Sequence, residues 1–90
     1  MAGMETEARL SQLEDLLAAC DPGPWVAMIE GRDMTSGESF IQTGSGDLRG
    51  EDIYVTRDSG PASAAYLDLI VAMRTAVPGL IREVRERRHH

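Results

Sequence analysis

The sequence has no lysine, one cysteine, one phenylalanine and no histidine before position 89. The single cysteine, Cys20, excludes an intramolecular disulfide framework and a zinc site built from several cysteines. Without an internal histidine there is no Ser-His-Asp or Cys-His arrangement, and His89 and His90 are interpreted as a tail or the remnant of a purification tag. No apolar run reaches the roughly 18 residues that a membrane span needs, and no secretory signal pattern opens the chain. We therefore expect a cytoplasmic protein that is not an enzyme and uses no cofactor, metal or membrane.

Negative charge dominates the sequence. Fifteen acidic residues stand against nine basic ones, all arginine, which gives a formal net charge of −6. The charge is uneven: residues 1–68 contain 13 acidic and 4 basic residues, whereas residues 69–90 contain 2 acidic and 5 basic ones. An acidic body repels phosphate, so we expect no nucleic-acid binding. The same charge would attract a basic protein partner, or would serve solubility alone.

Periodicity in the first two thirds of the chain predicts one helix and three strands. Leucines and Cys20 recur at helical spacing, which predicts a helix over residues 5–20 with Cys20 on its buried face. The segment Asp21-Pro22-Gly23-Pro24 ends that helix, because proline disfavours helical backbone at and before its own position. Alternating apolar residues predict strands at residues 25–30, 39–43 and 52–56. The loops between them are too short for parallel crossovers, so the sheet should be antiparallel.

The remainder of the chain reads as two helices. Cap-type residues before Pro61 predict a helix start, and Pro78 predicts a break near residues 75–77 with a final helix over residues 78–88. The predicted fold is therefore α+β, with the order α-β-β-β-α-α and a three-stranded antiparallel sheet covered by three helices. The predicted core residues are Leu13, Leu17, Trp25, Ile29, Ile53, Val55, Leu67, Val71, Leu80 and Val84.

Length predicts a single domain. Ninety residues are too few for two ordinary domains. We expect residues 1–90 to form one domain, with residues 1–4 and 88–90 disordered or derived from a tag. A chain this short has a limited core, so a homodimer or a tight partner would add stability by mass action.

The charged residues of the two polar loops are the candidate partner-binding residues. They are Glu30, Arg32, Asp33, Glu38, Asp47, Arg49, Glu51 and Asp52. Carboxylates can serve hydrolysis or hold a hard cation, but their spacing matches no EF-hand loop, and the arginines could pair with them locally. Gly44, Gly46 and Gly50 have the spacing GxGxxxG and lead into a strand, which favours a flexible hairpin loop over a phosphate site.

Several segments together carry a family resemblance. They are Pro22-Gly23-Pro24-Trp25, Glu30-Gly31-Arg32-Asp33, Arg49-Gly50-Glu51-Asp52-Ile53-Tyr54, and Val77-Pro78 with Leu80-Ile81. Over residues 20–86 the sequence resembles a group of small bacterial and prophage proteins, some of which are similar to immunity proteins that neutralise a toxin made by the same cell. The resemblance implies a cognate toxin as the partner.

The sequence leads us to expect one of two functions. The first is an immunity-type binding protein whose acidic loop face covers the basic active site of a bacterial toxin. The alternative is a small homo-oligomeric structural or regulatory accessory protein, prophage-encoded, whose final helix pairs with a second copy. The residues predicted for that pairing are Val77, Leu80, Ile81 and Val84.

Overall fold

The structure, a computed structural model, describes residues 2–88 and has an α+β fold. In chain order its elements are helix α1 (Ala2–Ala19), strand β1 (Trp25–Met28), strand β2 (Phe40–Thr43), a 3-10 turn (Gly46–Leu48), strand β3 (Thr56–Arg57), strand β4 (Gly60–Pro61) and helix α2 (Ala64–Arg88). The chain between α1 and β1 contains a cis peptide bond before Pro24.

Strands β1 and β2 form an antiparallel hairpin that carries the core. Trp25 lies opposite Thr43 at one end of the hairpin, and Met28 lies opposite Phe40 at the other. The predicted alternation holds for Ala27 and Ile29, which are both buried on the face that meets α2. Side chains alternate between the two faces of a strand, so this register presents one apolar face to the helix.

The predicted three-stranded sheet is wrong, because the described chain contains two separate two-stranded sheets. Among the described residues, the third predicted strand is joined to β2 by backbone hydrogen bonds at Ile53 alone, whose amide and carbonyl exchange bonds of 2.9 and 2.8 Å with Ile41. Two residues later the carbonyl of Val55 accepts the amide of Ala62 instead. That bond folds the segment back on itself as β3 and β4, so the ladder with β2 cannot continue.

The predicted third helix is also wrong, because α2 runs unbroken through Pro78. Proline in a helix interior removes one backbone hydrogen bond and costs about 3 kcal/mol in isolation. The buried stripe of α2 nevertheless continues on both sides of it. Leu67, Val71 and Arg74 precede Pro78 on that stripe and Ile81 follows it, and all are buried or half-buried. Packing along one continuous stripe therefore outweighs the local preference for a break.

Helix α1 buries fewer of its leucine side chains than the leucine spacing predicts. Leu10 is buried and Leu17 is half-buried, whereas Leu13 is 40% exposed. Cys20 is an exposed free thiol, so the predicted burial of Cys20 is wrong. Leu80 of α2, also predicted to be in the core, is 54% exposed.

The buried core is correspondingly small. It joins the hairpin to α2 and consists of Ala27, Ile29, Ile41, Ala62 and Leu67, with Trp25, Ile53, Val55 and Val71 among the half-buried side chains around it. Residues 2–4 and 88, expected to be disordered or tag-derived, belong to α1 and α2. The same expectation for Met1, His89 and His90 lies outside the described residues.

Truncating Leu67 should destabilise the fold strongly. Its side chain is 1% exposed at the centre of the core, and Leu→Ala at such a site costs about 2–5 kcal/mol because a cavity remains. Leu48→Ala is the matched control, since Leu48 is 72% exposed. Urea unfolding followed by circular dichroism measures both. Equal free energies of unfolding for the two variants would contradict the core assignment.

Candidate functional site

The loop that joins β1 to β2 is an ordered turn. The carbonyl of Ile29 accepts the amides of Arg32 and Asp33 at 3.1 and 2.8 Å. The carboxylate of Asp33 in turn accepts the amide of Ile29 at 2.9 Å. Gly31 supplies the left-handed backbone that the turn needs, at a φ of 83°. The loop is therefore held by its own backbone.

Arg32 ties this loop to helix α2. Its guanidinium donates from Nη1 and Nη2 to the two carboxylate oxygens of Asp68 at 2.9 and 3.0 Å. Its Nε donates to Asp33 at 2.9 Å. A paired two-point contact between guanidinium and carboxylate fixes orientation as well as distance. Arg32 and Asp33, both predicted to bind a partner, are thus engaged within the fold.

These contacts lower the pKa of both carboxyl groups. The pKa of Asp33 lies below its ordinary value because the Ile29 amide donates to its charged form, and Arg32 adds to the effect. The pKa of Asp68 is lowered by its hydrogen bonds with Arg32. Arg32 itself has a raised pKa, first from Asp68 and then from Asp33. All three groups therefore stay charged at neutral pH.

The second loop, between β2 and Ile53, is also closed by specific contacts. Gly44 has a φ of 69°, and a Cβ there would overlap the carbonyl of Leu48, so this position requires glycine. The amide of Gly50 returns to the carbonyl of Thr43 at 2.9 Å. The fully buried hydroxyl of Thr43 donates to the carbonyl of Glu51 at 3.1 Å. The glycines at this spacing therefore close a tight loop.

Arg49 pairs with Asp52 inside this second loop. The two side chains meet at 2.8 Å, and both are more than a quarter exposed. Exposed pairs of this kind contribute about 0–1 kcal/mol to stability. Their main effect here is to neutralise one predicted binding residue with another.

Four of the eight predicted binding residues keep carboxylates that no described ion pair uses. All four are exposed: Glu30, Glu38, Asp47 and Glu51. Glu30 and Glu38 line the same pocket, together with Ser39 and Pro61. Asp47 lies on the 3-10 turn next to the exposed Leu48.

The hairpin register separates the eight residues into two groups. Glu30, Arg32, Asp33 and Glu38 follow Met28 at one end, which we call the Met28 end. Asp47, Arg49, Glu51 and Asp52 follow Thr43 at the other, which we call the Thr43 end. A four-residue strand spans about 13 Å, so a hairpin length lies between the groups. Each end carries two carboxylates without an ion-pair partner.

An apolar groove between α1 and α2 was not predicted from the sequence. It has a volume of about 250 Å³, and its walls are Leu13, Leu16, Leu17, Cys20, Trp25, Met73, Arg74 and Val77. The guanidinium of Arg74 lies 5.6 Å from the centre of the Trp25 ring. Its buried Nε donates no hydrogen bond to any described residue. The sequence feature that could have indicated this groove is Arg74, which lies within the apolar stripe of α2.

The arginines at the end of α2 hold α1 in place. Arg85 contacts Glu7 and Glu14 at 2.8 Å each, and Arg88 contacts Glu7 at 3.3 Å. Hydrogen bonding from Arg85 lowers the pKa of Glu7. No contact between these arginines and α1 was predicted from the sequence.

Within residues 2–88 no three His, Cys, Asp or Glu side chains lie close enough together to hold a metal ion. The chain matches no protein-family model, no curated protein and no solved structure.

The Arg32 network predicts a specific acid sensitivity. Because the pKa values of Asp33 and Asp68 are lowered, their contribution to stability is present above the unfolded carboxyl pKa of about 3.9 and is lost as pH falls below it. Arg32→Gln should lower stability at pH 7 and reduce the further loss between about pH 5 and pH 2. Urea unfolding across this pH range measures both effects.

Arg49→Gln is the control for that experiment, since Arg49 pairs only within its own loop. It should leave the acid dependence close to that of the unaltered protein. If Arg32→Gln and the unaltered protein lose equal stability on acidification, the network does not contribute as described.

Proposed function

We propose that this chain is an immunity-type binding protein that neutralises a cognate bacterial toxin by covering its basic active site with acidic loop residues. The observation that supports this most is the set of unpaired, exposed carboxylates on two internally ordered loops. Ordered loops lose little conformational freedom on binding, so their charges are presented at low entropic cost. Toxins that act on nucleic acid or nucleotides need basic sites, and carboxylates would replace the phosphate there.

The Thr43 end is the proposed main contact. It combines two free carboxylates, Asp47 and Glu51, with Leu48, which is 72% exposed between them. An apolar side chain flanked by charges gives an interface both a desolvated anchor and electrostatic orientation. The Met28 end offers Glu30 and Glu38 but uses Arg32 and Asp33 to bind α2.

We propose a cytoplasmic location with no membrane contact. Helix α2 is long and apolar enough to cross a membrane by length and composition, and 11% of its apolar window is buried. Helices that pack within soluble proteins meet the same criterion. Here Leu67 fixes α2 in the core, and Asp68 fixes it to the β1–β2 loop. These contacts support a helix that belongs to the α+β body.

A second candidate is a small homo-oligomeric accessory protein. Of the residues predicted for the pairing, Ile81 is buried and Val77 and Val84 are half-buried, so the predicted contact is not available as a set. The observation that favours this candidate is the apolar surface that remains exposed along α2, where Leu69 and Leu80 are 56% and 54% exposed. Single exposed leucines are common on protein surfaces, whereas a contiguous apolar face marks an interaction site.

The toxin proposal predicts that two carboxylates of the Thr43 end matter most. Asp47→Asn with Glu51→Gln should weaken binding of the toxin encoded beside this gene, mainly through a slower association rate. The rate for the unaltered protein should also fall with added salt, because the screening length is about 8 Å at 0.15 M. Surface plasmon resonance and co-expression survival measure binding and neutralisation.

Asp15→Asn with Glu86→Gln is the matched control, since it removes two exposed helical charges and leaves both loops intact. It should bind and protect like the unaltered protein. If Glu30→Gln with Glu38→Gln is the variant that fails, the Met28 end is the contact. If no adjacent product is toxic, or if all variants protect equally, the proposed function is wrong.

A further inference from the structure

The groove between α1 and α2 contains a positive charge that no described carboxylate neutralises. Arg74 belongs to no described ion pair, donates no hydrogen bond to any described residue, and has a buried Nε. Its guanidinium carbon lies 5.6 Å from the centre of the Trp25 ring. A ring face attracts a guanidinium less strongly than a carboxylate does, and charges withdrawn from water are normally paired. The position of Arg74 therefore favours an anion in the groove.

A second pocket adjoins the groove and has the same arginine in its wall. We call it the head pocket; its volume is about 520 Å³, and it shares Leu17 and Arg74 with the groove. Glu14 and Arg82 also line it. Glu14 is already paired with Arg85 at 2.8 Å, whereas Arg82 is exposed and belongs to no described ion pair. Two unpaired guanidinium groups therefore line a space whose carboxylate is already engaged.

The groove itself is suited to an apolar body. Every side chain that lines it, apart from Arg74, is apolar. Leu13, Leu16 and Met73 each leave 40% or more of their surface exposed there. Ligand sites are mostly apolar and contain a few polar groups that fix the orientation of the ligand. An apolar ligand body would remove these side chains from water, which is favourable in proportion to the area covered.

The charges around the head pocket favour a carboxylate with a single negative charge. A planar carboxylate accepts two parallel hydrogen bonds from a guanidinium, which fixes its orientation as well as its distance. Glu14 also lines this pocket, so an anion with two charges, such as a phosphate monoester, would meet a like charge. Both pockets lie between α1 and α2, and this arrangement suits an unbranched chain that runs along the two helices.

We propose that the α1–α2 groove binds an amphiphilic monocarboxylate, of the class of medium-chain fatty acid anions. Its alkyl chain lies along Leu13, Leu16 and Met73. Its carboxylate lies in the head pocket and accepts hydrogen bonds from the Nη groups of Arg74, since the Nε is buried, with Arg82 as the second positive charge. Bound ligand would also stabilise the fold, because it joins α1 to α2 in the folded state alone.

This site goes beyond the proposed function. It uses none of the eight charged loop residues, and its ligand is a small molecule rather than a toxin. Binding is measured with the purified chain and no toxin. A chain that binds the carboxylate and protects no cell would overturn only the proposed function.

Trp25 provides a direct readout, because it is the one tryptophan of the sequence and lines the groove. Titration with octanoate at pH 7 should change its fluorescence in a saturable way, and isothermal titration calorimetry should give the same dissociation constant. Affinity should rise about fourfold for each methylene added from hexanoate to decanoate. The matched ligand 1-octanol has the same chain without the charge, and it should bind at least about tenfold more weakly than octanoate.

Variants separate the head from the chain. Arg74→Gln should weaken octanoate binding about tenfold or more and leave 1-octanol binding unchanged. Leu16→Gln should weaken both ligands equally, because Leu16 contacts the chain and its exposure lets the fold tolerate the change. Arg57→Gln is the matched control, since it removes one positive charge from a residue that contacts Tyr66 and lines neither pocket. It should bind octanoate like the unaltered protein.

Four results would overturn the proposal. Equal affinity for octanoate and 1-octanol would show an exposed apolar groove only, and equal losses in Arg57→Gln and Arg74→Gln would show general charge attraction. Tighter binding of octyl phosphate than of octanoate would assign the head pocket to phosphate. Absence of saturable binding by both methods would show that there is no site. If Arg74→Gln fails to fold by circular dichroism, Leu16→Gln and the comparison of octanoate with 1-octanol decide between these results.

Discussion

Burial of Ile41 and Leu67 between the hairpin and α2 is the contact on which the rest of the structure depends. These two side chains are 0% and 1% exposed, and few other residues approach that burial. Outside this small core, polar contacts also attach the β1–β2 loop and α1 to α2. Arg32 joins a loop to α2 through Asp68, and Arg85 joins α1 to α2 through Glu7 and Glu14. Exposed ion pairs of this kind are individually weak, so the seating of α2 on the hairpin positions everything else.

The ion pairs divide the charged side chains into those that hold the fold together and those that are free to contact a partner. The arginines of both loops are satisfied by neighbouring carboxylates, which leaves the remaining loop acids free of partners. The loops themselves are closed by backbone bonds from Ile29 and Thr43, so the free carboxylates lie on fixed supports. A surface of this kind can recognise a basic partner without first being ordered. The hairpin places its acidic ends apart, which gives the chain two candidate contact surfaces.

The sequence predicts those parts of the fold that depend on local pattern. The alternation from Trp25 to Ile29 gives the correct strand and face, and the leucine spacing gives the first helix. The loss of the third strand could not be predicted from its own pattern, because the hydrogen bond that diverts it joins Val55 to Ala62, a residue outside the predicted strand. Pro78 does disfavour a continuous helix locally, but the packing of α2 before and after Pro78 outweighs this preference.

The candidate site was likewise predictable only where it depends on local sequence. The sequence identifies the loop acids as a set, but their pairing depends on Asp68, which lies 36 residues from Arg32 along the chain. The pattern of α2 places Arg74 on its apolar stripe, but it does not indicate that α1 and Trp25 lie beside it to form the groove. Which apolar stripe faces solvent depends on where the hairpin packs, and this is why Leu80 was predicted to be in the core.

The position of α2 on the hairpin is tested most directly by native-state hydrogen exchange of the backbone amides. If burial of Ile41 and Leu67 holds the fold together, the amides of Ile41, Ile53 and Ala62 should exchange only when the whole chain unfolds, because they are hydrogen-bonded around that core. The amides of α1, which lies outside the core cluster and is attached through ion pairs of partly exposed side chains, should exchange faster. Amides of α1 that are protected as strongly as those of Ile41 and Ile53 would contradict this description of the fold.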